Sequence, residues 1–193
     1  MIGFTVANVD SEVDFFTRVL QFEKIADFRV VGRAYEMMQG VFNANMRVVL
    51  LRLGEQIVEL TEYVSPPTGR PIPVPSYSND AWFEHVAIVV KDMDAAYNAL
   101  QRNKVRQISA HPITIPRTNP GAAGIQAIKF QDPEHHDLEL IYFPPGKGDP
   151  LWQRPSNKLF LGISHTAMTV ESSEREVTFL PGSARLSAGW SHP

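Results

Sequence analysis

Apolar residues alternate with polar ones at Ile2, Phe4 and Val6, and again at Val86, Ile88 and Val90. That period belongs to a strand with one face buried. Each stretch runs into a short acidic turn, Asn8-Val9-Asp10 or Lys91-Asp92-Met93-Asp94, which offers side-chain acceptors for a helix N-terminus. The period then changes. Val13, Phe16 and Leu20 fall on one helical stripe, as do Met93, Ala96, Tyr97 and Leu100. Two further strand pairs follow. RVVLLRL (47–53) and QIVELTEY (56–63) flank a Gly54-Glu55 turn, while GIQAIKF (124–130) and DLELIYF (137–143) flank Asp132-Pro133-Glu134-His135-His136.

Strand, cap, helix and hairpin therefore occur twice in the same order. Val86 lies 84 residues after Ile2, and Glu139 lies 80 residues after Glu59, so the copies differ by about four residues, which a surface loop absorbs at small cost. Between them VSPPTGRPIPVPSYSND (64–80) carries five prolines and predicts an extended connector. The predicted organisation is a first βαβββ module at 1–66, a linker at 67–81, and a second βαβββ module at 82–144. Residues 145–174 resemble the opening of a third, truncated module, because LFLGISHTAMTVESSE places His165 where the second copy has His85. Residues 175–193 are expected to be a tail: Trp190-Ser191-His192-Pro193 is similar to half of a streptavidin-binding affinity tag, and the natural protein is expected to be longer.

Composition narrows the chemistry. The 193 residues are 44% apolar and 20% charged, as in a globular protein, here one whose repeated strand–helix–hairpin order predicts an α+β fold, and 18 basic against 21 acidic side chains leave a net charge of −3. Nucleic acid and anionic membrane are thereby disfavoured as partners. With no cysteine, any metal must be held by His, carboxylate or other oxygen and nitrogen donors. Lack of an apolar leader and of cystines predicts a cytoplasmic protein.

The opening HVAIVVKDMDAAYNAL and the closing FQDPEHHDLELIYFP resemble the start and end of a module of the vicinal-oxygen-chelate superfamily, which includes glyoxalases, bleomycin-resistance proteins and extradiol dioxygenases. Asp132, Pro133, His136, Leu138 and Glu139 match the closing motif, and His135 stands where glycine is usual. The resemblance covers residues 1–144. It implies a glyoxalase-like fold, two modules pairing into a curved-sheet cup around a small molecule. It also implies metal ligands from the first and last strands: His85, Glu139 and Glu59, with Met1 at the fourth position. A thioether is a poor donor for a hard divalent ion.

A physical reason independently draws attention to Glu59 and Glu139. Each sits between apolar neighbours in a strand, and a carboxylate there must be paired, protonated or bound to a cation. Three functions remain open. In a glyoxalase-type lyase or isomerase, a divalent Zn, Ni, Mn or Fe ion stabilises an enediolate while Glu59 or Glu139 moves the proton. A metal-free, drug-sequestering binding protein is the alternative. An extradiol-type dioxygenase is disfavoured, because Met1 replaces its second histidine. A homodimer is compatible with the exposed sheet edges.

Overall fold

The computed structural model describes residues 1–172, so the expected tail and its tag-like end lie outside the described residues. Strand β1 (Ile2–Val6) leads into helix α1 (Val9–Asp14), which continues as one wider turn through Phe15–Val19. Asn8 caps α1 by accepting a hydrogen bond from the Ser11 amide at 3.0 Å. Strands β2 (Glu23–Val31), β3 (Asn45–Leu53) and β4 (Gln56–Ser65) complete the first unit, in the order β1-β4-β3-β2. The second unit repeats the plan. Strand β5 (Glu84–Val90) precedes helix α3 (Met93–Arg102), whose Asp92 cap accepts from the Ala95 amide at 2.9 Å. The short strands β6 (Arg106–Gln107) and β7 (Ile113–Thr114) then lead to β8 (Gln126–Gln131) and β9 (Asp137–Tyr142). In both units the first strand lies parallel to the last, β1 beside β4 and β5 beside β9.

Helix α2 (Arg33–Gln39) was not legible in the sequence pattern. It interrupts the turn between β2 and β3, buries none of its residues, and leaves Tyr35, Met37 and Met38 exposed.

The two units share one core. Phe16, Leu20, Met93, Ala96 and Leu100 from the helices meet Val58 and Leu60 of β4, Ile88 of β5, and Leu138 and Leu140 of β9. Strand side chains alternate, so Glu59 and Glu139, each between two of these core residues, project from the opposite faces of their sheets. The helices pack on the apolar faces of both sheets, and the glutamates project from the opposite faces.

The seam between the units is polar. Glu134, in the turn before β9, accepts from the amides of Ala7 and Asn8 at 2.6 Å each. Asp132 accepts from the Glu134 and His136 amides at 3.0 and 2.8 Å, and its other oxygen lies 2.7 Å from His136 Nδ1. His136 Nε2 faces the Thr5 carbonyl at 3.2 Å. An imidazole between two acceptors carries both ring hydrogens. Burial opposes that charge, but Asp132 outweighs it, aided by Thr5 and Glu134, and the His136 pKa is raised. His135 supports this turn at φ +73°, a left-handed conformation that glycine adopts more easily.

A tenth strand, β10 (Phe160–Met168), adds antiparallel to the open edge of β5, giving the second sheet the order β10-β5-β9-β8-β6. It is fastened from the other unit too: the Ile163 amide donates to Gln56 Oε1 at 3.2 Å. Gly54, at φ +60° in the β3–β4 turn, lets the turn approach this strand, since a Cβ there would lie 2.5 Å from the Leu161 carbonyl oxygen.

Candidate metal centre

His85 begins β5 and Glu139 lies in the middle of β9. Parallel pairing puts Glu139 beside Ala87, one pleat along from His85 and on the same face, so His85 Nε2 comes 3.4 Å from Glu139 Oε2. His165, on β10, reaches the same oxygen at 3.8 Å. One donor atom from each residue, His85, Glu139 and His165, lies within 4.8 Å of the other two. The side chains of His85 and Glu139 are 11% and 12% exposed and that of His165 is 42% exposed, so the trio opens to solvent on one side. Burial pushes the His165 pKa down; the Glu139 charge opposes this and the His85 charge adds to it.

The two histidines are related by the pairing of their strands. His85 lies opposite Ala167, and His165 lies opposite Ala87. They are 80 residues apart, the same offset that separates Glu59 from Glu139. Two like strands thus meet antiparallel in a reciprocal register, and each contributes the histidine at the same position.

Two imidazoles and a carboxylate suit a first-row divalent ion, with the open side left for water or substrate oxygen. Of the residues expected from the sequence, the structure brings together His85 and Glu139. Glu59 is not part of this group: it sits on β4 in the first sheet, where its Oε1 accepts from Thr61 Oγ1 at 3.3 Å. Met1 is largely exposed at the start of β1. His165 was matched to His85 by sequence but not assigned as a ligand. The signal lay in that match, and the strand's addition to β5 gives it effect. Asp137, opposite His85, was also missed. Burial raises its pKa, countered by a 2.9 Å hydrogen bond from Gln131 Nε2 and by the charges of Lys129 and His85, while Asp132 adds to the rise.

Fold and site together define a protein of the vicinal-oxygen-chelate type. Residues 1–140 match the Glyoxalase/Bleomycin resistance protein/Dioxygenase superfamily, and the chain belongs to it. Over 165 residues the chain is 33% identical to a 2-epi-5-epi-valiolone epimerase from Actinomyces sp., with 82% of this chain and 85% of that protein covered. The fold is similar to that of a glyoxalase family protein from Bacillus cereus, at 15% identity and TM-score 0.56, covering 73% of this chain and 90% of that one. A glyoxalase family protein from Enterococcus faecalis gives 18% identity and TM-score 0.50, covering 72% and 93%. No helix among the described residues is long and apolar enough to cross a membrane.

Proposed function

We propose that the protein is an isomerase that epimerises a small polyhydroxylated ketone at the carbon beside its carbonyl, with a divalent metal ion held by His85, Glu139 and His165. The observation that carries this reading is the convergence of those three donors. The epimerase named above gives the substrate class. When bound, the ion would supply Lewis acidity to the carbonyl oxygen, which acidifies the neighbouring C–H.

The chain's own residues do the rest. Glu139, largely buried, is placed to take up the proton released beside it and return it. The apolar strand residues on either side, Leu138 and Leu140, fix its direction by packing into the core.

Two measurements test the reading. Purified protein should carry close to one equivalent of Mn, Fe, Ni or Zn, and His85→Ala should lose most of it. Incubated with 2-epi-5-epi-valiolone in D2O, the protein should exchange one carbon-bound hydrogen for deuterium and produce the epimer. A protein free of divalent metal, or a His85→Ala variant that keeps it, would defeat the metal assignment; absence of exchange would defeat the reaction.

A further inference from the structure

Lys129 occupies an unusual position. It lies directly opposite Glu139 in the β8–β9 ladder, and directly opposed residues share a sheet face. Its stem is half-buried, and its Nζ lies 4.9 Å from the centre of the Phe83 ring. Phe83 in turn packs beside His85, with ring centres 6.2 Å apart. Among the described residues no carboxylate forms an ion pair with this ammonium. Glu139, directly opposite, turns its carboxylate to His85 and His165 at 3.4 and 3.8 Å, and Asp137, one pleat along on the same face, is engaged by Gln131. An ammonium held against an aromatic face is attracted by the ring, but it keeps its hydrogen-bonding capacity.

We propose that Lys129 is a specificity-determining residue that binds a second substrate oxygen, beyond the one at His85, Glu139 and His165. This rests on the isomerase reading above. Lys129 and Glu139 rise side by side from the sheet, so an oxygen bound by the ammonium is a second one, distinct from the oxygen at the three donors. A polyhydroxylated ketone of the proposed class offers such a second oxygen as one of its hydroxyls. The ammonium donates to that hydroxyl, taking no part in bond breaking, so it governs binding rather than the chemical step.

The experiment compares wild type with Lys129→Met and Lys129→Arg, all checked for unchanged thermal melting. Turnover is followed with 2-epi-5-epi-valiolone. Binding is followed separately with scyllo-inosose, a cyclohexanone pentol, by ligand-detected NMR. Lys129→Met should raise KM and weaken scyllo-inosose binding by about tenfold or more, the loss expected for one hydrogen bond to a charged donor, with kcat little changed. Lys129→Arg should recover part of both. Equal KM and equal binding in wild type and Lys129→Met would overturn the proposal and leave the isomerase reading standing. No turnover by wild type, with scyllo-inosose binding still dependent on Lys129, would overturn the isomerase reading and leave this one standing. A fall in kcat at unchanged KM, or borohydride trapping of Lys129 on the ketone, would place Lys129 in the chemistry and overturn the proposal. So would wild type that binds neither compound.

Discussion

Glu12 is pressed against Asp132 across the seam between the two repeated units, fully buried, and neither of its carboxyl oxygens accepts a hydrogen bond. Only a proton on Glu12 lets the pair bond, because Asp132 is already the acceptor for His136 and two amides. Burial, reinforced by the charges of Asp132 and Glu134, pushes the Glu12 pKa up to about 9. An unfolded chain ionises this group near pH 4.5, so stability falls as pH rises from there to about 9. Glu12→Gln keeps the shape and a donor towards Asp132 but removes the titration. It should be more stable than wild type at pH 7 by roughly 3 kcal/mol, the order set by a shift of this size. Urea unfolding of both proteins at pH 5, 7 and 9 checks this; identical curves would show that Glu12 is ionised or solvated in the folded chain.

His136 contributes with the same sign but in a later window. Its folded pKa is raised, so its stabilisation is complete below the unfolded value of 6.5 and is lost as pH climbs through the folded value. A Glu12→Gln protein should therefore keep a shallow decline in stability above neutral pH. Adding His136→Gln should flatten it.

Gln56 fastens the strand that carries one of the proposed metal donors. Its side chain holds the Ile163 amide, two residues before His165. Gln56→Ala leaves that amide without its partner, costing about 1–3 kcal/mol of local stability, and loosens the strand that carries His165. Divalent metal affinity, measured by competition with a chelator, should fall severalfold although no donor has changed. Protection of the β10 amides from hydrogen exchange should fall with it.

His165→Ala and His85→Ala should differ in degree. His85 is shielded by Phe83 and the sheet, while His165 is more open to solvent, where water can substitute for it. Metal retention after dialysis should be lower for His85→Ala; the reverse order would contradict the centre as described.

Phe130→Ala provides a control outside the site. The ring is fully buried in the shared core, so its removal should cost about 3–5 kcal/mol, read as a lowered unfolding midpoint.

Much of this arrangement could be read from residue order. The alternation at Ile2–Val6 and Val86–Val90, the capped helices and the two hairpins became β1, β5, α1, α3, β3–β4 and β8–β9, because each depends on local period and short-range capping. The unusual His135 was also visible, as a bulky residue at a glycine position, and it takes the left-handed conformation. His85 and Glu139 are named by the family resemblance, and the structure brings their side chains together. Helix α2 was not, since it buries nothing and leaves no apolar stripe. Glu12 was hidden by appearing as an ordinary acidic residue in a first helical turn; only long-range packing reveals its burial. The separation of Glu59 from the donor trio depends on how the two sheets are set relative to each other, and alternation along a strand cannot decide that.

The reciprocal register of β5 and β10 makes β10 an interchangeable part. Because the slot beside β5 accepts a segment patterned like β5 itself, a synthetic peptide spanning Phe160–Met168 could be supplied in trans to a chain lacking it, turning metal uptake into a reporter of whether two fragments have met.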